Sequence, residues 1–470
     1  MNAAFHVVAV LALVYFAALN GLYVLFTVIA WNDVSDHLRR RRFDATAEAF
    51  ASPLTPGITM ILPAYNEEAG VVESVRSLLS LRYPNLEVIV VNDGSSDGTL
   101  DRLRDAFALQ SFHKALRDRI ETQPVEATYV SRRHPELCVI DKQNGGKADA
   151  INAGVNGARH PYVCAIDADA LIEEGALLRV ARPILDDPEV VRATGGIVRI
   201  ANGCTIDHGR VVDVGLPTSR LAILQVVEYF RAFLIGRVGW SRLNALLIIS
   251  GAFGLFDRRV VEAVGGWWTA TVGEDVELVV RLHRHLRDLG EEYQIVFVPD
   301  PVCWTEVPED LGALGRQRRR WHRGLAQTLW RHKRVLANPR YGAFGCLALP
   351  YFLFFELLGP LVEILGPPLT IVWWATGRLS TLFLVAFLIV AFLLGILLSI
   401  AALALEEFSF RRHPTTRDVM RLLVFSVFEN IGYRQLNDYW RLIAFVDLAR
   451  RRRSWGAQQR RGIGYSGGPA

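Results

Sequence analysis

Hydrophobic residues follow two patterns along this chain: long runs without charge, and short runs that alternate with polar loops. Uncharged runs occupy residues 7–30 and 379–405, and each is long enough to cross a bilayer as a helix. The stretch before the second run is also apolar, but it contains several prolines and the glutamates Glu356 and Glu363. Between about 58 and 300, short β-rich runs alternate with helical runs, which predicts a parallel sheet with helices on both faces.

The predicted strands of this middle segment each lead directly into a polar loop. In chain order the pairs are "ITMIL" with "PAYNEE", "LEVIVV" with "NDGSSDGT", "LCVI" with "DKQNGGKADAIN", and "YVCAI" with "DAD". Because ligands of such sheets bind beyond the carboxyl ends of the strands, we expect these loops to converge on one crevice. Apolar residues at helical spacing predict a helix over about 71–79, whereas residues 109–136 fit no strand–helix unit and are interpreted as a surface insertion.

Composition and charge indicate a protein of the inner or plasma membrane. Of its 470 residues 51% are hydrophobic, and the formal net charge is only +4. Arginine-rich segments follow both uncharged runs, and Lys and Arg near membrane ends stay cytoplasmic. This predicts an external N-terminus, residues 32–340 in the cytoplasm and a helical hairpin over 343–405. The basic residues are thereby assigned to membrane topology and not to nucleic-acid binding. Five cysteines without a CxxC pair predict neither disulfides nor zinc.

The expected organisation of the chain is an α/β domain between membrane segments. Its parts are an N-terminal transmembrane helix (1–31), a basic linker (32–57), a cytoplasmic α/β domain (58–310), an interfacial helix (311–340), transmembrane helices (341–405), and a C-terminal segment with a basic cytoplasmic tail (406–470). Within the last part, residues 419–449 mix charged and apolar residues, which favours an interfacial amphipathic or re-entrant segment. A buried helix that lines a polar cavity is the alternative.

Two carboxylates follow the fourth predicted strand, in "AIDADALI". Asp167 and Asp169 are two positions apart, and such residues project from the same face of a strand. They indicate either a solvated turn or a site for a divalent cation with hard oxygen ligands, such as Mg²⁺ or Mn²⁺. Asp93 in "NDGS" and Lys147 in "NGGK" are expected in the same crevice, where they supply a hydrogen-bond acceptor and a positive charge. Together these groups predict a site for a nucleotide diphosphate.

The motifs "PAYNEE", "NDGSSDGT", "DKQNGGKADAIN", "DAD", "GED" and "QRRRW" occur here in one order. In this order they resemble the membrane-embedded family 2 glycosyltransferases, the group that contains cellulose, chitin, hyaluronan and poly-N-acetylglucosamine synthases. The similarity covers residues 55–335, with membrane helices on both sides. It implies a Rossmann-like nucleotide-sugar-binding GT-A domain plus transmembrane α-helices, a UDP-sugar donor, a Mg²⁺ or Mn²⁺ ion and inversion at the anomeric carbon.

The resemblance assigns the donor to loops that follow the strands. Tyr65, Glu67 and Asp93 would surround the uridine. Lys147 would contact the diphosphate, and Asp167 would hold the ribose or the metal ion.

Two further carboxylates are assigned to the chemistry. Asp169 would be the metal ligand, together with Asp167 where that residue binds metal. Asp275 of "VGEDVE" would be the general base that takes the proton of the acceptor hydroxyl. The alternative for Asp275 is a helix N-cap, since Asp favours that position, although Glu274 beside it is also able to cap.

The "QxxRW" signature is matched by Gln317, Arg320 and Trp321, which are assigned to the acceptor and the diphosphate. Trp321 offers a flat ring to a sugar, and the guanidinium of Arg320 fits phosphate oxygens. The alternative is a basic helix that lies on an anionic membrane surface. Glu356 and Glu363 are costly if they face lipid, so we expect them to face protein, either in a hydrogen bond between helices or in a polymer channel.

The expected activity is inverting, metal-dependent transfer of a sugar from a UDP-sugar to a growing polysaccharide, with passage of the polymer through the membrane. One alternative is transfer of a single sugar to a membrane lipid. The other is a non-catalytic nucleotide-sugar sensor or assembly subunit. The expected partners are the donor, a glycan or lipid acceptor and membrane lipids, while the donor sugar, the linkage and any protein partner are not specified by the sequence.

Overall fold

The computed structural model describes residues 2–41, 55–207, 209–410 and 415–450. The chain divides into two compact units. Within the described residues, the sheet unit comprises 55–207, 209–214 and 244–306, and the helical unit comprises 2–40, 215–243, 307–410 and 415–450.

The strands belong to the sheet unit and end where the polar loops begin. Their bounds are β1 (Ile58–Ala64), β2 (Leu86–Asp93), β3 (Leu109–Ser111), β4 (Val125–Ser131), β5 (Leu137–Lys142), β6 (Tyr162–Ile166), β7 (Leu171–Ile172), β8 (Val191–Ile200), β9 (Thr205–Asp207), β10 (Arg210–Asp213), β11 (Phe253–Asp257) and β12 (Gln294–Thr305). Strands β1, β2, β5 and β6 are buried along nearly their whole length, as expected for continuous apolar runs covered on both faces.

The helices carry the connections and form the second unit. Their bounds are α1 (Asn2–Arg41), α2 (Val71–Leu79), α3 (Thr99–Phe107), α4 (Lys147–Gly157), α5 (Ala176–Asp186), α6 (Arg220–Phe230), α7 (Val238–Arg242), α8 (Arg258–Ala263), α9 (Glu274–Leu289), α10 (Leu311–Arg331), α11 (Leu349–Tyr351), α12 (Gly359–Ala375), α13 (Thr381–Leu388), α14 (Leu394–Phe410), α15 (Thr416–Phe428) and α16 (Arg434–Ala449). A short 3₁₀ turn covers Pro339–Tyr341, and wider π-helical turns cover Arg231–Arg237, Phe344–Ala348, Phe352–Leu357, Ile389–Leu393 and Glu429–Tyr433.

The central sheet is mixed, and the prediction of a parallel sheet is wrong in this respect. Within the described residues it has ten strands in the order β3-β4-β5-β2-β1-β6-β11-β8-β12-β7. The predicted core β5-β2-β1-β6 is parallel, but β11 runs antiparallel to both β6 and β8. Phe253 of β11 pairs with Ile166 of β6, so the turn before β11 lies beside the loop that follows β6.

The interpretation of residues 109–136 as a surface insertion is also wrong. Strand β4 pairs antiparallel with β5, and β3 pairs antiparallel with β4 at the edge of the sheet. An antiparallel neighbour needs only a short turn and no crossover helix. The strand–helix alternation that marks the rest of the domain is therefore missing from this segment.

The helix α2 shows how the spacing of apolar residues positions a loop. Val71, Val75 and Leu78 are buried, so the predicted apolar face covers the sheet. At its start, the Ser74 hydroxyl donates a hydrogen bond of 2.9 Å to the carbonyl oxygen of Ala168, between Asp167 and Asp169. The helix thereby holds the "DAD" loop in place.

The helical unit contains the candidate membrane spans. By length and composition, two helical segments in the described residues are able to cross a membrane, Phe5–Arg39 and Thr381–Phe410. Phe344–Leu357 and Gly359–Ala375 pass the same test together, but they are bent by 50° at the break between them. The helix α1 continues past residue 31 to Arg41, into the segment predicted as a basic linker. The rest of that linker up to residue 54, and the predicted basic tail at 451–470, lie outside the described residues.

The predicted glutamates of the helical unit make ion pairs between helices. Glu363 accepts from Arg434 Nε at 2.5 Å and from the Tyr15 hydroxyl at 2.8 Å. Glu356 pairs with Arg441, whose Nη2 lies 2.9 Å from its Oε2. The arginines belong to α16, within the segment 419–449. This packing agrees with the alternative of a buried helix there.

Candidate active site

The loops after β1 and β2 are joined by hydrogen bonds. Asn66 accepts from the backbone N–H of Ser96 at 2.8 Å, and its own N–H donates to the Ser95 hydroxyl at 3.0 Å. The backbone N–H of Glu67 donates to the Thr99 hydroxyl at 2.9 Å. Beside them Tyr65 is 52% exposed, so its ring is open to a ligand. The structure thus brings the "YNEE" and "NDGSSD" loops together as predicted.

Asp93 ends β2 and is almost completely buried. Its carboxylate accepts from the backbone N–H groups of Gly145 and Gly146 at 3.0 and 2.8 Å, and from the Asn144 amide at 3.2 Å. Lys142 Nζ donates to the same carboxylate at 2.7 Å. Asp93 therefore fixes the shape of the "NGGK" loop from below.

Lys142 is a residue of this site that the sequence analysis missed. Its ammonium group is fully buried and also lies 2.6 Å from Asp149 Oδ1. Asp149 is in the first turn of α4, so Lys142 connects the end of β2 with the start of that helix. The available signal was a lysine two residues after the apolar run "LCVI", at the end of the predicted strand, because Lys is rarely buried without an acidic partner.

Lys147 is the first residue of α4 and contacts the acidic groups of the crevice. Its Nζ lies 2.6 Å from Asp167 Oδ1 and 3.5 Å from Glu274 Oε1. Burial opposes the positive charge, but the carboxylates of Asp167, Asp275 and Glu274 outweigh it and hold the pKa of Lys147 above its usual value. Lys147 is therefore cationic throughout the neutral range and offsets the repulsion among these carboxylates.

Asp167 and Asp169 stand on a tight turn directly after β6. The turn is closed by a hydrogen bond of 3.1 Å from the Ala170 N–H to the Asp167 carbonyl, and both side chains are half-buried. Among the described residues, no group of three or more His, Cys, Asp or Glu side chains is arranged to hold a metal ion. Two carboxylate ligands fit Mg²⁺ or Mn²⁺, provided that water and substrate phosphates complete the coordination shell. These two carboxylates are therefore compatible with a metal ion that is bound together with a nucleotide diphosphate.

Asp275 lies in the first turn of α9, and its predicted alternative as the helix N-cap is wrong. Gly273 holds the N-cap position, and it makes no side-chain cap. Glu274 does not cap either, since it lies at the first helical position, where it faces Lys147. The structure thus brings Asp275 into the same group of charges as Lys147 and Asp167.

Gln317, Arg320 and Trp321 lie on α10, in the helical unit. Trp321 is 42% exposed, and the guanidinium of Arg318 stacks over its ring at 4.6 Å from the centroid. Arg318 is buried, and its Nη2 donates to Glu228 Oε2 at 2.7 Å and to the Tyr433 hydroxyl at 3.1 Å. The sequence analysis did not select Arg318, although its spacing from Trp321 is that of one helical face.

The helical unit contains a partly open cavity of about 290 Å³, which is lined by both polar and apolar groups. Its walls include the Trp321 ring and a set of charged groups that are largely paired with one another: Glu228, Arg231, Arg318, Glu356, Glu363, Glu429, Arg434, Asp438 and Arg441. Leu19 of α1 and Leu398 of α14 also line it, so both candidate spans contribute. Gln317 and Arg320 are not among its lining residues.

Two family profiles match this chain. Residues 59–203 match the profile described as Glycosyl transferase family 2, and residues 162–404 match the one described as Glycosyl transferase family group 2. The second match covers more than half of the chain. The chain belongs to the family 2 glycosyltransferases and is an enzyme of the transferase class. The predicted resemblance is confirmed, and with it the GT-A fold class.

Proteins similar to this chain in sequence include bacterial polysaccharide synthases. The protein is 31% identical to poly-beta-1,6-N-acetyl-D-glucosamine synthase of Staphylococcus epidermidis over 278 residues, which are 58% of this chain and 56% of that protein. The protein of the same name from Staphylococcus aureus (strain COL) is 32% identical over 278 residues. The chain thus matches about half the length of these relatives. Together with the apolar helices, this similarity indicates a membrane protein.

Solved structures show more distant similarity. The mannosyltransferase PcManGT from Pyrobaculum calidifontis, in complex with GDP-Man and Mn²⁺, is 18% identical with a TM-score of 0.48 and covers 91% of this chain and 98% of that one. Glucosyl-3-phosphoglycerate synthase from Mycobacterium tuberculosis, in a complex that includes Mn²⁺ and UDP, is 16% identical with a TM-score of 0.36 and covers 61% of this chain and 83% of that one.

The buried Lys142 provides a test of how the "NGGK" loop is held. Lys142→Met removes the cation shared by Asp93 and Asp149, and breaking such a buried pair costs about 3–5 kcal/mol. We expect a lower free energy of unfolding and faster amide hydrogen exchange at residues 143–146. Lys114→Met is the matched control. It removes a partner of Glu87, near the opposite end of β2, and Glu87 keeps its bonds to Arg159. Equal exchange at 143–146 in both variants would contradict a specific role for Lys142.

Proposed function

We propose that this enzyme transfers a sugar, with inversion, from a UDP-sugar to a growing polysaccharide. The observation that carries the proposal is the cluster of Lys147 with Asp167, Glu274 and Asp275 at the carboxyl ends of the parallel strands. Such an edge is where α/β sheets bind their ligands. The ammonium of Lys147 suits a ligand with phosphate groups. The surrounding carboxylates suit the positive ion that accompanies such a ligand.

In the proposed complex, Lys147 changes partners when the donor binds. Its ammonium now neutralises Asp167 at 2.6 Å. A diphosphate attracts the same ammonium group. Donor binding therefore releases Asp167, which then holds the ribose or the metal ion. Tyr65 is open for contact with the base, and Glu67 lies on the same loop. Asp93 contributes to the uridine site indirectly, by holding the "NGGK" loop in place, because its carboxylate accepts hydrogen bonds from the backbone of that loop.

Asp169 and Asp167 would hold the divalent ion, Mg²⁺ or Mn²⁺. When bound, such an ion supplies charge stabilisation for the departing diphosphate. The protein's own part is to hold the acceptor and to remove its proton. Asp275 is the base that takes this proton when the acceptor hydroxyl lies within hydrogen-bond distance, and the acceptor oxygen then forms its bond to the anomeric carbon from the face opposite the diphosphate.

The names of the relatives indicate which donor to test first. They are poly-beta-1,6-N-acetyl-D-glucosamine synthases, so UDP-N-acetylglucosamine is the leading candidate, ahead of other UDP-sugars. Purified protein offered a panel of UDP-sugars, with UDP release and product length both recorded, tests the donor and the reaction together. Products with one added sugar on a lipid would support the single-transfer alternative. Absence of turnover with every donor would favour the sensor alternative.

The acceptor is assigned to the helical unit, with the catalytic domain in the cytoplasm and several membrane passes. Trp321 would stack on the acceptor sugar, and Gln317 and Arg320 complete the signature that surrounds it. The cavity beside Trp321 supports a passage for the glycan, because its walls carry paired polar groups between apolar helices. We expect the polymer to pass Trp321 and to enter a passage bounded by 343–405 and the first membrane helix.

Replacing Asp169 tests the metal. Asp169→Asn should abolish transfer while the domain stays folded, because a neutral amide is a poor ligand for a hard divalent cation. Chelation of the wild type should have the same effect on turnover, and Mn²⁺ or Mg²⁺ should restore the wild type only. Asp101→Asn, on the exposed face of α3, is the control that keeps activity. Full activity in excess chelator would remove the metal from the mechanism.

Replacing Asp275 tests the base. Asp275→Asn keeps the size of the side chain, so UDP binding should persist while turnover falls by about 10²–10⁴-fold. Calorimetry with UDP and single-turnover assays separate the two effects. Asp288→Asn, near the other end of α9, is the control. Normal turnover in Asp275→Asn would show that another group takes the proton.

Replacing Trp321 tests the acceptor site and the passage. Trp321→Ala should lower polymer yield more than hydrolysis of the UDP-sugar, since stacking positions the acceptor and not the donor. Trp330→Ala is the control on the same helix, because that ring is 74% exposed and is not a lining residue of the cavity. In sealed vesicles with the catalytic domain outward, wild-type product should become protected from added glycosidase. Short, fully digestible product would contradict the passage.

A further inference from the structure

We propose that Gly251 is a positioning residue for the reaction, because its missing side chain defines where the carboxylate of Asp275 stands. This inference rests on the proposed role of Asp275 as the base. A Cβ at position 251 would lie 2.2 Å from Asp275 Oδ2, 2.6 Å from its Cγ and 2.7 Å from its Oδ1. All three atoms of the carboxylate thus fill the space that any other residue would occupy.

The backbone at Gly251 is held by the sheet and is not free to retreat. A hydrogen bond of 3.0 Å from the Phe253 N–H to the Ser250 carbonyl closes the turn around it. Phe253 then enters β11, which is paired on both sides, with β6 and with β8. An added methyl group must therefore displace the Asp275 carboxylate.

The opposite side of the site also constrains Asp275. It lies one residue from Glu274, which contacts Lys147 at 3.5 Å, and the charge of Asp275 itself acts on Lys147. The carboxylate thus lies against the backbone of Gly251 and is close enough to Lys147 to act on its charge. Such close contact favours one orientation of the short Asp275 side chain. Proton transfer from an acceptor oxygen at a fixed position requires an orientation of this kind.

Gly251→Ala tests space without adding backbone strain, because Gly251 does not have a positive φ. The carboxylate must move by about 1 Å, and a misplacement of that size in a catalytic site costs roughly 100-fold in rate. We expect kcat to fall by about that factor, while affinity for UDP stays within about twofold of the wild type. A loss shared equally between kcat and UDP affinity, or an unchanged kcat, would overturn the proposal.

Two other glycines of the sheet unit provide matched controls. Gly175→Ala meets only Arg179, at an ordinary distance of 3.4 Å, and should leave kcat and thermal stability unchanged. Gly196→Ala meets Val302 at 2.5 Å, so it crowds apolar side chains instead of a carboxylate. It should lower the thermal midpoint without the selective loss of kcat. The same selective loss in Gly196→Ala would show that crowding anywhere in the sheet produces the effect.

A second variant keeps the test valid when Gly251→Ala alone fails to fold. In Gly251→Ala/Asp275→Ala the carboxylate is removed, so the double variant should regain the folded state and the thermal midpoint of Asp275→Ala. A double variant that still fails to fold would overturn the proposal, because the clash then involves other atoms. This result is distinct from failure of the proposed function, which the turnover of Asp275→Asn reports by itself.

Discussion

The ion pair between Lys147 and Asp167 is the interaction on which the candidate site depends. Asp167, Glu274 and Asp275 stand close enough to act on the same ammonium group, and without it these carboxylates would repel one another. The ammonium group of Lys147, at the start of α4, offsets that repulsion. It is still able to change partners when a ligand binds, because its side chain is 19% exposed. The same group that stabilises the ligand-free site is therefore available to a diphosphate. Binding and stability use one cation.

The mixed sheet is what assembles this group of charges. Parallel strands alone bring Asp93, Lys142 and Asp167 to one edge, since each follows or ends a strand of the same direction. The antiparallel strand β11 runs in the opposite direction, so its beginning, and not its end, lies at that edge. It places Gly251 beside the "DAD" loop, and the chain can then deliver Asp275 from the start of α9. In a purely parallel sheet, the start of this strand would not lie at the edge where the proposed base, Asp275, contacts Gly251.

The sequence predicted the parts of this structure that depend on local pattern. The strands before each polar loop, the helix at 71–79 and the convergence of the loops follow from periodicity and from the geometry of parallel sheets. Lys142 and Arg318 were missed because each of these buried cations has a partner far away in sequence, at Asp93 and Glu228 respectively. The direction of β11 and the pairing of β4 depend on the same kind of distant contact. Gly251 could not be found by pattern, because its role is the space it leaves.

The helical unit meets a different electrostatic demand, in which charges among apolar helices must be paired. Glu363 is shared by Arg434 and Tyr15, and Glu356 is paired with Arg441, so the charges that line the cavity largely compensate one another. Such walls are costly beside lipid tails but suit a neutral ligand with many hydroxyl groups. Each hydroxyl both donates and accepts, so a sugar can exchange hydrogen bonds with the lining residues without separating an ion pair. The proposed passage of a glycan then needs no buried charge to lose its partner. The pairing of these charges is therefore compatible with the glycan passage proposed above.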